Sequence, residues 1–168
     1  MTKKSLLLLF VMALLVSVSF MVYLLIERIN HKRLARQNVA SISDFPLLDF
    51  DSIRFDIGSD RKTILVYFDS ECSHCQQEFH QIITNKNSFK DSDIIIASSE
   101  LISTIRGYAE KNCPPDLANI RFAKINTAQA YDTFGSLAVP QIFIYGPDGK
   151  LIKEFKGETP IKAILYYL

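Results

Sequence analysis

The chain has 168 residues, 48% of them hydrophobic, which leaves room for one ordinary domain plus an extra segment and excludes both a disordered chain and two full domains. Its net charge of +1 hides an asymmetry: residues 1–36 hold six Lys/Arg against Glu27, while the other 132 residues hold 13 Lys/Arg against 17 Asp/Glu. An acidic body leaves no electrostatic footprint for nucleic acid, and three cysteines are too few for a disulfide-stapled scaffold.

From Ser5 to Ile26 the chain runs for 22 residues without a charge, between Lys4 and Glu27. In a helix rising 1.5 Å per residue, such a run crosses a hydrocarbon core of roughly 30 Å. A cleaved signal peptide is the rival reading, and Ser17-Val18-Ser19 loosely imitates a cleavage site. Phe20 to Ile26 continues the apolar run beyond it, further than the roughly 7–15 residues of a usual h-region. Residues 1–28 are therefore expected to be an uncleaved transmembrane signal anchor. The charges that follow it, Arg28, Lys32, Arg33 and Arg36, outnumber Lys3 and Lys4 and by themselves favour a cytoplasmic body. The plan of a short basic N-terminus before a long apolar segment favours the opposite, a single-pass protein of the inner membrane with its body in the periplasm. A dithiol site also fits a compartment where disulfides persist. Residues 29–44 read as a helical extension and then a linker, loosened by Asn38, Ser41, Ser43 and Asp44 ahead of Pro46.

Beyond the linker, strand-like and helix-like stretches alternate. Thr63 to Phe68 (TILVYF) is a β-branched and aromatic run that predicts a buried strand. Cys72 to Thr84 places Phe79, Ile82 and Ile83 at helical spacing, with Gln76, Gln77 and Gln81 outward. Asp93 to Ala97 predicts a second buried strand, and Glu100 to Lys111 a helix with Leu101, Ile105, Tyr108 and Ala109 on one face. Asn119 to Ile125 reads as extended and Thr127 to Phe134 as a short helix. Gln141 to Tyr145 and Leu151 to Phe155 flank Gly146-Pro147-Asp148-Gly149 and predict an antiparallel hairpin. Ile161 to Leu168 closes the chain as a helix after Pro160. The order predicts an α/β sandwich with a mixed central sheet.

Cys72-Ser73-His74-Cys75 follows the first strand and opens a helix. A helix N-terminus offers unpaired N–H groups and partial positive charge, which stabilise a thiolate. Cys72 is thus the expected nucleophile and Cys75, one turn inward, the resolving thiol. A protonated His74 between them favours the thiolate further. The inert alternative is a buried structural pair, or half of a metal site.

On these residues the chain resembles the thioredoxin superfamily over most of residues 45–168. Ala138-Val139-Pro140-Gln141-Ile142-Phe143-Ile144, followed by the Gly146–Lys150 turn, is similar to the family's cis-proline segment and its hairpin. That resemblance implies that Pro140 packs beside the cysteines and that Val139 offers its backbone to a substrate chain. Cys72-x-x-Cys75-x-x-Glu78 resembles membrane-anchored members of the TlpA/ResA type, which implies a proton-handling role for Glu78; a solvated surface glutamate is the bland alternative. The chain also departs from the family. Glu71 stands where a tryptophan is usual, Val66 where ordinary thioredoxins bury an acid, and His80 where a helix-kinking proline is frequent. The resemblance implies exchange with protein dithiols or disulfides, an upstream membrane or soluble redox partner, and no cofactor beyond a Cys72–Cys75 disulfide. The competing reading is a copper- or zinc-binding domain using Cys72, Cys75 and His74 or His80, with Cys113 or a histidine as a further ligand. Otherwise Cys113 is an unpaired cysteine in a proline-rich loop.

Overall fold

The computed structural model describes residues 3–43, 45–57 and 60–168. Met1 and Thr2 of the expected anchor and Asp44 of the expected linker lie outside the described residues.

Helix α1 (Lys3–Asn38) runs unbroken for 36 residues, with no Pro or Gly to interrupt it. Its portion Phe10–Asn38 is long and apolar enough to cross a membrane, with a mean hydropathy of 2.3 in its most apolar window. Phe10, Phe20 and Met21 are largely exposed.

The body is one five-stranded sheet in the order β3-β2-β1-β4-β5. Strands β1 (Lys62–Tyr67), β2 (Ser92–Ser98) and β3 (Ile120–Lys124) are parallel; β4 (Gln141–Tyr145) runs antiparallel to β1, and β5 (Leu151–Lys156) antiparallel to β4. The crossovers are α2 (Ser73–Thr84), with a 3-10 turn over Lys86–Phe89, and α3 (Ile102–Asn112); α4 (Thr127–Phe134) leads into β4, and α5 (Ile161–Leu165) follows β5. Strand β4 is buried throughout, as is β1 after Lys62, because helices cover both faces. Strand β5 is an edge, and its Lys153, Glu154 and Lys156 keep that edge charged.

Side chains of alternate residues fill two cores. Ile64, Val66, Phe68, Ile94, Ile96, Ile142 and Ile144 meet Cys75, Phe79 and Ile82 of α2, Ile105 of α3 and Ile164 of α5. On the other face Leu65, Tyr67, Ile95, Phe143 and Tyr145 meet Phe134 of α4 together with Val39, Ile42, Phe45 and Leu47.

Two expectations need correcting. Residues 29–43 are built into the domain, so the described part of this stretch is not a free linker. The His31 ring stacks on Tyr131 at 4.2 Å, and Asn38 Nδ2 donates to the Asp132 carbonyl at 2.9 Å. Tyr145 Oη donates to the Val39 carbonyl at 3.1 Å. Gly135 has φ +70°, and a Cβ there would stand 2.8 Å from the Ala35 Cβ, so the close approach of α1 to α4 requires glycine. The physical reason is an apolar stripe, Ala35, Val39 and Ile42, hidden among polar neighbours. The closing helix is also shorter than expected: α5 stops at Leu165, and Tyr167 and Leu168 pack beside the core that holds Cys75 and Ile164 without continuing the helix.

Candidate functional site

The strand β1, its exit loop and the start of α2 present the two cysteines at different depths. Cys72 is the N-cap of α2, with extended backbone (φ −80°, ψ 115°) and no side-chain cap, and it is half-buried. Its amide donates to the Asp69 carbonyl at 3.2 Å, and its own carbonyl accepts the first helical hydrogen bond, from Gln76 N at 3.0 Å. Cys75 lies one turn in and is buried. Burial is the main force pushing its thiol well above the ordinary range; a hydrogen bond with the Asp69 backbone works against it, and the neighbouring Cys72 sulfur adds to it. Both cysteines are free thiols, as is half-buried Cys113, whose thiol is also raised by burial.

Glu78 is fully buried, which removes the bland reading of a solvated helix carboxylate. Its Oε2 accepts from the Thr159 amide at 2.8 Å, while Oε1 has no partner among the described residues. Burial raises its pKa to about 7; the Thr159 N–H lowers it, and the Glu158 charge raises it further. A carboxyl on the cysteine-bearing helix, one turn past Cys75, is thus held protonated further up the pH scale than an ordinary glutamate. Tyr108 of α3 closes this region beside Phe68 and Phe79, at ring separations of 4.8 and 5.7 Å. Burial, with the charge of Cys75 second, raises its phenol to about 12.

His74 is exposed and turned to the connection after β5, where Nδ1 meets Glu158 Oε2 at 2.8 Å. The Val139–Pro140 bond is cis, Pro140 is buried, and Val139 packs against both cores. Gln141 holds this segment from beneath: its Nε2 donates to the carbonyls of Ser136 (3.0 Å) and Ala138 (2.7 Å).

Several supporting residues carry no local sequence signal. Glu100, expected only to open α3, clamps the loop that precedes Cys72: its carboxylate accepts from Ser70 N at 2.9 Å, Ser70 Oγ at 2.5 Å and Ser98 Oγ at 2.9 Å. Gln76 Nε2 fastens the same loop through the Ser70 carbonyl at 2.7 Å. Residues 157–159 each grip a different part of the site. Gly157 N donates to the Pro140 carbonyl at 2.8 Å, Glu158 holds His74, and Thr159 N holds Glu78.

Among the described residues, no three His, Cys, Asp or Glu side chains converge as a metal site would require. His74 is taken up by Glu158, and His80 is exposed. Among the described residues, the metal-binding alternative thus has no third ligand side chain converging on the cysteine pair.

A CxxC at a strand-to-helix junction, a cis-proline loop and a mixed sheet of order β3-β2-β1-β4-β5 define a thioredoxin-like fold carrying a dithiol site. No protein-family model and no curated protein matches the chain. Solved structures do. StoA from Bacillus subtilis aligns with 73% of this chain and 94% of its own, at 15% identity and a TM-score of 0.57. The DsbF protein of MTB, solved in mixed oxidized and reduced forms, aligns with 77% of this chain and 94% of its own, at 12% identity and a TM-score of 0.61. ScoI of Arabidopsis thaliana, solved with copper bound, aligns with 73% of this chain and 91% of its own, at 12% identity and a TM-score of 0.56. At such identities the likeness is one of fold.

Proposed function

We propose that this chain is a membrane-anchored thiol–disulfide oxidoreductase, exchanging disulfides with protein substrates outside the cytoplasm through Cys72 and Cys75. The observation that carries the reading is the gradient of depth along α2: a half-buried sulfur at the helix start, a buried thiol one turn in, and a buried carboxyl one turn further. In the reducing direction, the Cys72 thiolate attacks one sulfur of a substrate disulfide. A mixed disulfide forms, the substrate S–S bond breaks, and the departing sulfur takes up a proton from solvent. Cys75 then passes its proton to the Glu78 carboxylate and attacks Cys72 Sγ, expelling the second substrate sulfur, which is protonated in turn. The substrate has gained two electrons and two protons, and Cys72 and Cys75 hold a disulfide. A dithiol partner, membrane-bound or soluble, restores the pair by the same exchange; the oxidising reaction is the reverse. Val139 and Pro140 form the ledge along which the substrate chain lies. The StoA and DsbF likenesses support this assignment, and the 22-residue uncharged run supports the anchor.

Trapping tests the proposal. Cys75→Ser is expected to accumulate mixed disulfides that vanish on reduction, and Cys72→Ser to lose both turnover and trapping. Disulfide exchange surviving Cys72→Ser, or no adduct with Cys75→Ser, refutes the division of labour between the two cysteines.

A further inference from the structure

The geometry points to a redox site held against the bilayer surface, whose substrates are cysteines in membrane-protein segments lying at that surface. This inference rests on the anchoring and exchange chemistry proposed above. Its basis is the unbroken path of α1. The uncharged run ends at Ile26, yet the helix continues without a break to Asn38 and docks on α4 through His31, Ala35 and Asn38. No flexible joint separates span from body, so the dock fixes how the body sits on the membrane.

The direction of the dock decides which end faces the bilayer. Just past the end of α1, the carbonyl of Val39 meets Tyr145, the last residue of β4, and that of Ala40 meets Leu151 N. This is the end of the sheet far from the cysteines, because β4 starts at Gln141, next to cis-Pro140. Going back from Val39 to Arg28 climbs about 17 Å along the helix, close to the length of the five-residue strand β4 at about 3.4 Å per residue. Arg28 thus comes to the side of the body that carries Ser136 and Leu137. A groove of about 990 Å³ makes the same connection in side chains: Leu24 and Arg28 line it together with Ser136 and Leu137, the residues that lead into Val139 and Pro140. Leu137 is exposed there, and the α1 wall of the groove sets Arg28, Lys32 and Arg36 against Glu27, a net positive balance suited to anionic headgroups, while Glu154 and Lys156 of β5 offset each other. A polypeptide segment running along the membrane would approach Cys72 past Ser136 and Leu137, where the groove ends short of the cis-proline segment, whereas the bilayer would obstruct a bulky soluble protein from the same side.

Two measurements on the full chain in lipid nanodiscs test this. With the three native cysteines replaced by serine, a donor dye is attached at Leu137→Cys or at Asp148→Cys, in the hairpin at the far end, and energy transfer is read to acceptor-labelled lipid. Stronger transfer from position 137 is expected; equal or stronger transfer from 148 overturns the orientation. In the second measurement, Cys75→Ser is offered a disulfide peptide tethered to lipid by a flexible linker of about 8 or about 32 residues. The shorter linker reaches at most about 28 Å. A surface-level site is trapped by it about eightfold faster, since effective concentration falls as roughly the three-halves power of linker length. Equal trapping, or faster trapping with the long linker, overturns the inference. Retention in membranes through an alkaline wash reads the anchor by itself, and trapping of the untethered peptide reads the chemistry by itself. A failure of either is thereby distinguished from a failure of the orientation.

Discussion

Replacing Glu78 with Gln isolates the buried acid, and its effects run in opposite directions for stability and for turnover. The carboxyl has no exposure, and burial lifts its pKa from 4.5 to about 7. Between those values the folded state binds a proton that the unfolded state does not. The stability contributed by Glu78 is thus complete below about pH 4.5 and is lost as the pH rises through about 7. A displacement of that size corresponds to about 3 kcal/mol. Gln keeps an oxygen to accept the Thr159 amide and cannot ionise, so the variant escapes the loss. Unfolding in detergent, followed through tyrosine emission because the chain has no Trp, should show the variant gaining about 3 kcal/mol on the parent between pH 4.5 and 8.5. Over the same range resolution of the mixed disulfide should slow about a hundredfold, the low end of what a positioned proton acceptor contributes. A stability difference that stays constant with pH would falsify the buried-acid argument. Unchanged resolution would remove Glu78 from the chemistry while leaving its burial intact.

Glu100→Ala removes the acceptor of three hydrogen bonds at the loop that precedes Cys72, and thermal unfolding should report a loss of about 2 kcal/mol. Alkylation of Cys72 should change with it, and Glu100→Gln should restore part of both. Gly135→Ala forces a side chain into φ +70° and to 2.8 Å from Ala35, so a cost of about 1–2 kcal/mol is expected, with faster proteolysis near residues 30–38 as the α1 dock loosens. Reporter fusions after residue 40 should behave as exported; a cytoplasmic signal would reverse the orientation proposed for the anchor.

The parts legible in the sequence were those whose causes are local. TILVYF and DIIIA form buried strands because β-branched residues fill both faces, and Gly146–Gly149 turns the chain between β4 and β5 as its composition predicts. Cys72, Cys75 and Glu78 share one helix, so their spacing alone carried their juxtaposition. Glu100, Glu158 and Thr159 reach the site across 30, 84 and 81 residues, and nothing near them in the chain marks that destination. The dock of α1 was hidden for a different reason: its apolar stripe is thin, and the charged residues around it dominate any local average. The length of α5 likewise depends on Tyr167 packing against Phe155, at a ring separation of 5.9 Å, a tertiary contact that periodicity does not report.

The three residues after β5 have a consequence for communication between the outside of the site and its interior. Gly157 is fastened to cis-Pro140, Glu158 to an imidazole in solvent, and Thr159 to the buried carboxyl of Glu78 on the cysteine-bearing helix. Neighbours on one backbone do not move independently. Any displacement of residues 157–159 therefore moves the amide on which the Glu78 carboxylate leans. The loop thus has its handle in water and its tip in the core, and on the proposed function a chain arriving at Pro140 would be felt by a carboxyl it never touches.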